Sequence, residues 1–145
     1  MVQPLATTTI TRSFQWGIAI ILAADGEIPD VVPDAAVSTG DSGLVVSVRH
    51  EADIPSFEGD FAWAEVQITV RWLDETPDLQ NRRAVFDGTL NTTAGRLSIG
   101  DADDNVKMST HVGRTRVVVS VDQDWPRDDH HYESLLVDLA PVDQT

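Results

Sequence analysis

The chain contains no cysteine. Disulfides, thiolate zinc sites and cysteine nucleophiles are therefore excluded. Lysine is almost absent: Lys107 is the only one, and the other basic residues are arginines. Long apolar runs are missing too. Residues 16–24 form the longest, nine residues, about half of the roughly 20 that a membrane helix needs. Residues 1–13 carry no basic segment followed by an apolar stretch, so no secretory leader is expected and the cytoplasm is the expected compartment. There is no phosphate-cradling glycine loop, no basic stripe and no Ser/His/Asp order of the serine-hydrolase kind. No enzyme, cofactor or metal centre is predicted.

What the chain has in excess is acid. It holds 24 Asp+Glu against 10 Lys+Arg, a formal net charge of −14 on 145 residues. Such a surface repels nucleic acid and favours basic protein partners, cations or high salt. At 41% hydrophobic residues, it is still globular material rather than a disordered acidic tail. The length fits one domain, residues 1–145.

The apolar residues recur with a period of two. Ala64, Val66, Ile68, Val70 and Trp72 alternate with Glu65, Gln67, Thr69 and Arg71, the pattern of a half-buried strand. Val117, Val119 and Val121 alternate with Arg116, Val118 and Ser120. Leu135, Val137 and Leu139 alternate with Leu136, Asp138 and Ala140. Residues 44–49 read the same way, and 106–109 form a shorter candidate. Residues 8–22 read as one long strand kinked at Gly17. Residues 83–90 and 95–100 flank the polar turn 91–94 and read as a hairpin. Only residues 33–39 suggest a helical turn, with Pro33 early and Gly40 as a stop. About eight strands separated by Gly, Pro and Asp predict an antiparallel β-sandwich, with a small barrel as the alternative.

The acids concentrate in loops: Asp25 to Asp41, Asp74 to Asp78, Asp101 to Asp104, and Asp122 to Asp129. If every strand reverses the last, these four loops leave the sandwich at one end. That predicts an acidic pole whose contact residues are Asp101, Asp103, Asp104, Asp122, Asp124, Asp128 and Asp129; Trp125 reads either as an apolar anchor for the partner or as a loop anchor packed on the core.

Other motifs fail on spacing. Asp41-Ser42-Gly43 has no histidine before it, so it reads as a polar turn. Asp101-Ala102-Asp103-Asp104-Asn105 opens like a calcium loop, but Val106 and Val112 stand where the EF-hand needs Gly and Glu. His130 and His131 are adjacent and point apart in extended chain, so they do not make a metal pair. Trp16, Trp63 and Trp72 read as strand residues packed in the core.

Three stretches carry a resemblance. Pro33 to Gly40 leads into Asp41-Ser42-Gly43-Leu44-Val45-Val46-Ser47-Val48. Residues 86–99 follow, with Gly95 at a turn, and Tyr132 to Ala140 close the chain. In order and spacing these resemble the competence protein J group, bacterial inhibitors of a DNA-entry nuclease. The resemblance implies an inhibitor docked on a nuclease and assigns no functional residues.

The expected role is a non-enzymatic binding module docking a basic protein surface such as a nuclease or toxin, with no nucleic-acid or membrane partner. A homodimer through an exposed strand edge is compatible with the pattern. Two alternatives stand beside it. One is a domain whose acidity reflects a salt-adapted or high-GC proteome. The other is a calcium- or carbohydrate-binding sandwich.

Overall fold

The period-two runs fold into ten strands in the computed structural model, which describes residues 4–50, 64–101 and 105–142. They are β1 (Ala6–Arg12), β2 (Ile18–Ala23), β3 (Val37–Thr39), β4 (Gly43–Ser47), β5 (Val66–Trp72), β6 (Arg82–Thr92), β7 (Arg96–Gly100), β8 (Asn105–Ser109), β9 (Gly113–Asp122) and β10 (Ser134–Ala140). Two five-stranded sheets result, ordered β1-β5-β10-β9-β6 and β3-β4-β2-β7-β8. The second sheet is antiparallel throughout. The first contains one parallel pair, β5 with β10.

Alternation sets the core. Val66, Ile68, Val70, Leu135, Val137, Leu139, Val117, Val119 and Val121 face inward from the first sheet. Ala19, Ile21, Leu44, Val46, Leu97 and Ile99 meet them from the second. This is a β-sandwich, with one apolar layer shared by both sheets. Each buried Val, Ile or Leu contributes about 1.5–3 kcal/mol through burial.

Several sequence expectations need correction. Residues 8–22 are two strands in different sheets, separated by a turn at 14–17. Residues 33–39 contain no helical turn; among the described residues there is no helix, and so none that could cross a membrane. The turn 91–94 is not a hairpin within one sheet, because β6 and β7 belong to different sheets. The true hairpin in this region is β7 with β8.

Two connections cross from one end of the sandwich to the other. β5 and β6 are separated by β10 and β9, so residues 73–81 must traverse that sheet. The opposite face is filled by the second sheet, so the passage lies on the outer face, where Asp78 acts electrostatically on Arg71. On that face Val118, Ser120, Asp138 and Ala140 are buried. Residues 24–36 traverse the second sheet in the same manner. They are fastened where Val32 N–H donates to Ser38 Oγ (2.9 Å) and Ser47 N–H to the Ala36 carbonyl (2.9 Å).

These crossings divide the four acidic loops between the two ends. Arg12 pairs with Asp101, and Val48 bridges Tyr132, which brings the ends of β1, β4, β7 and β9 together. Trp72 donates to the Ser109 carbonyl, and Asn91 N–H to the Asp41 carbonyl, which defines the opposite end. Asp101, Asp122, Asp124, Asp128 and Asp129 lie at the first end. Asp25, Asp41 and Asp74 lie at the other. Counting reversals fails because a connection that crosses a face emerges at one end and re-enters at the other.

Candidate functional site

At the first end, four segments converge on a cleft. The turn after β1 begins it. Gly17 has φ +69° and its N–H donates to the Phe14 carbonyl (3.2 Å). Glycine occupies this left-handed conformation without a Cβ penalty. Phe14 is buried beneath the turn, and Trp16 is turned outward, 58% exposed.

The end of β4 supplies the floor. Val48 N–H donates to the Gly17 carbonyl (3.0 Å), and the His50 ring lies over Gly17, where a Cβ would meet His50 Cδ2 at 3.5 Å. The strap 24–36 adds Asp34, at φ +65°, and Ala35. Asp tolerates that left-handed conformation better than most residues. Ser47 Oγ donates to the Ala35 carbonyl (3.1 Å), tying strap to strand.

The loop between β9 and β10 forms the remaining wall. Asp122 Oδ1 accepts from the Asp124 amide (2.9 Å), an Asx turn that starts the loop. Trp125 Nε1 donates to the Asp129 carbonyl (2.8 Å), and its ring meets Tyr132 at 5.9 Å between centroids. Asp129 Oδ1 accepts from the His131 amide (2.8 Å) and lies 3.3 Å from His131 Nδ1. His130 packs obliquely against Tyr132. Burial pushes the Tyr132 phenol above its ordinary ionisation range, against the pull of nearby Arg83.

The resulting cleft has a volume of about 430 Å³ and is lined by Trp16, Gly17, Asp34, Ala35, Ser47, Val48, His50, Asp128, His130 and His131. The size falls within the usual range of ligand pockets. Three of the chain's four histidines meet here. A wider groove of about 640 Å³ at the opposite end is lined by Asp25, Glu27, Asp30 and Asp41, but neither an aromatic nor an imidazole borders it.

The predicted contact residues fare unequally. Asp128 lines the cleft and is exposed, and Asp122 and Asp124 are exposed on the loop that walls it. Asp129 is half-buried and bonded to its own loop. Asp101 is buried, and its carboxylate is bonded to Arg12 at 3.0 Å; it serves the fold. Asp103 and Asp104 lie outside the described residues, as does Trp63. Trp125 is half-buried, packed against the core and hydrogen-bonded within its loop. Trp16, expected in the core, is instead the tryptophan beside the cleft. The legible signal is Gly17: a glycine requiring positive φ makes the preceding residue part of a turn. The meeting of His50 with His130 and His131 has no sequence signal. Among the described residues, no group of three His, Asp or Glu side chains is arranged to hold a metal ion.

No family model matches the chain, and no curated protein matches it. Among solved structures it is similar to Crocagin biosynthetic gene J, with TM-score 0.50 and 12% identity over 94% of this chain and 96% of that one. At that identity the likeness concerns the fold. It also corrects the resemblance drawn from the sequence: the similar fold is that of a crocagin biosynthetic protein, not a competence protein J nuclease inhibitor. One stretch that carries that resemblance, residues 33–40, also lacks the short helix that its sequence suggests.

Proposed function

We propose that the protein is a non-enzymatic binding module that docks a basic protein surface, and that the cleft at the His50 end receives an arginine or lysine side chain from that partner. The carrying observation is the cleft lining itself, which includes the largely exposed Trp16 together with Asp34 and Asp128. An indole face attracts a cation, by about 0.5–1 kcal/mol when exposed and about 2 when desolvated. Two carboxylates on separate loops supply charge and orientation. The net charge of −14 adds long-range steering, which speeds encounter.

Ser47 favours binding over acyl transfer. Its hydroxyl donates to the Ala35 carbonyl rather than to an imidazole, so it lacks the activating hydrogen bond that a nucleophile requires. The similar solved structure is named as a biosynthetic gene product; its name lends this chain no reaction.

The test is an amide-resolved NMR titration with a tetra-arginine peptide, with a tetra-glutamate peptide as control. Shifts centred on Gly17, Val48 and His130 are expected with the arginine peptide alone. Trp16→Ala should weaken binding about fivefold or more. Shifts centred on Asp25 and Asp41 instead, or none, would refute the assignment.

A further inference from the structure

We infer that β1 is a self-pairing edge: two copies of the chain join antiparallel along it across a two-fold axis, and their first sheets become one sheet of ten strands. The inference stands apart from the cleft and from what fills it.

Four of the described strands stand at sheet edges: β1 and β6 in the first sheet, β3 and β8 in the second. An edge turns the N–H and C=O of every second residue outward, a template for another strand. Proteins blunt it by shortness, a bulge, proline or charge. Three of these edges carry such a device. β3 is three residues long. β8 bears Lys107 at its middle. β6 has a register break between Ala84 and Phe86 and bears Arg82, Arg83 and Asp87. Its far end is also met by the turn before β4, where Asn91 N–H donates to the Asp41 carbonyl (2.9 Å). β1 differs from all three. It pairs with β5 through seven consecutive residues without a shift, and Ala6 to Thr11 include no charge, proline or glycine. Thr7, Thr8, Thr9 and Thr11 are exposed. Among the described residues no strand lies beyond it.

Charge and register favour a second copy over other occupants. In a chain of net charge −14 this strip is neutral. Arg12 at its end is bonded to Asp101, and Arg71 on the neighbouring β5 is bonded to Asp138. A basic partner finds no carboxylate along β1, whereas a second copy meets no like charge there. Antiparallel pairing about Thr9 sets Thr9 against itself, Thr7 against Thr11 and Thr8 against Ile10. Ile10 packs on the core, so Thr7, Thr9 and Thr11 share the opposite face. Their pairs then form one row, continued into β5 by Thr9 and Thr69, whose hydroxyls lie 3.5 Å apart. Threonine pairs across strands are favourable. The interface is isologous, as two-fold symmetry requires. The acids elsewhere on the two copies repel at long range, so salt strengthens the association.

The experiment is sedimentation equilibrium of the full chain from about 10 μM to about 1 mM, at about 0.15 M and about 1 M salt. The mean mass should rise from that of one 15.9 kDa chain toward that of two, and further at the higher salt. Thr9→Lys and Thr9→Glu each set like charges directly opposite, and each alone should weaken association about threefold or more at the lower salt. An equimolar mixture of the two should restore it to within about twofold, since lysine then faces glutamate. A variant that merely misfolded would not be restored by mixing. Val106→Lys, on the β8 edge, should leave association unchanged.

A single-chain mass at every concentration and salt would overturn the inference. So would an association that the mixture fails to restore, or one that Val106→Lys weakens as much as Thr9→Lys does.

Discussion

Arg71 grips Asp138 through two parallel hydrogen bonds, Nε to Oδ1 at 2.7 Å and Nη2 to Oδ2 at 2.9 Å. The two residues stand directly opposite in the parallel β5–β10 register. Asp138 is completely buried on the outer face of its sheet, while Arg71 is 21% exposed. The Asp138 hydrogen bond raises the Arg71 guanidinium above its already high range, more than burial lowers it. A bidentate fork of this kind satisfies both carboxylate oxygens at once. Removing one partner strands the other, which costs about 3–5 kcal/mol for a buried charge. Arg71→Met should therefore lose about that much in urea unfolding. The double variant Arg71→Met, Asp138→Leu should recover most of it, because no buried charge remains. A single-variant loss below about 1 kcal/mol would show the pair to be screened despite its burial.

Tyr132 is the only tyrosine in the chain, so an ultraviolet phenolate titration reads it alone. It is 2% exposed, and burial raises its ionisation above the ordinary value of 10.0. The sign follows from linkage. The folded state holds the phenolic proton more tightly, so the contribution is whole below the ordinary value and disappears as pH rises through the raised one. The absorbance midpoint should lie above that of a free tyrosine. Thermal stability should fall on the alkaline limb in the wild type, and fall less in Tyr132→Phe. A midpoint at or below the free value would contradict the burial argument.

Asp87 is governed by the opposite sign. Its carboxylate accepts two hydrogen bonds from Arg116, at 3.0 and 2.8 Å, and these hold it below the ordinary value of 3.8, with burial opposing. The contribution is present above the ordinary value and lost as pH falls through the depressed one. Because Asp87 is 46% exposed, its effect at neutral pH should stay below about 1 kcal/mol. Asp87→Asn should lower the melting temperature slightly near neutrality and converge with the wild type in strong acid. A difference that persists unchanged into strong acid would place the effect in packing rather than charge.

Local patterning reaches some features and misses others for physical reasons. β5, β9 and β10 are legible because Val66, Ile68 and Val70, and their counterparts on β9 and β10, alternate with residues of the other face. Alternation alone makes that other face wet, yet Val118 and Asp138 are buried there. Their cover is a connection whose course depends on which strands pair, and strand pairing is set by contacts distant in sequence. The cleft is illegible for the same reason. Asp128 stands out by its charge, but its loop is brought to His50 by pairing distant in sequence, the Val48–Tyr132 bridge and the Arg49 N–H bond to the Tyr132 carbonyl. Trp125 packs on the core with a carbonyl in reach for its indole N–H, whereas Trp16, expected in the core, precedes the glycine that ends its turn and is exposed.

Gly17 tests whether that turn aims Trp16. Its φ of +69° lies where a side chain on an L-residue is strained, yet the nearest atoms to a Cβ, on His50 and Val48, lie 3.5 to 3.6 Å away. Space is adequate, so Gly17→Ala should cost about 1–2 kcal/mol from conformation alone. Gly17→Asn should cost less, because asparagine visits the left-handed region more readily. Gly113 is the control, with φ +100° and no atom within 4 Å of the point where a Cβ would stand; it lies at the opposite end of the sandwich. Both alanine variants should melt early, but only Gly17→Ala should weaken the tetra-arginine peptide and displace the Val48 amide resonance, since Val48 N–H bonds the Gly17 carbonyl. Equal peptide affinity in the two variants would mean that the indole keeps its place without the turn. The orientation of Trp16 would then have to come from its contacts with the cleft wall rather than from the backbone beneath it.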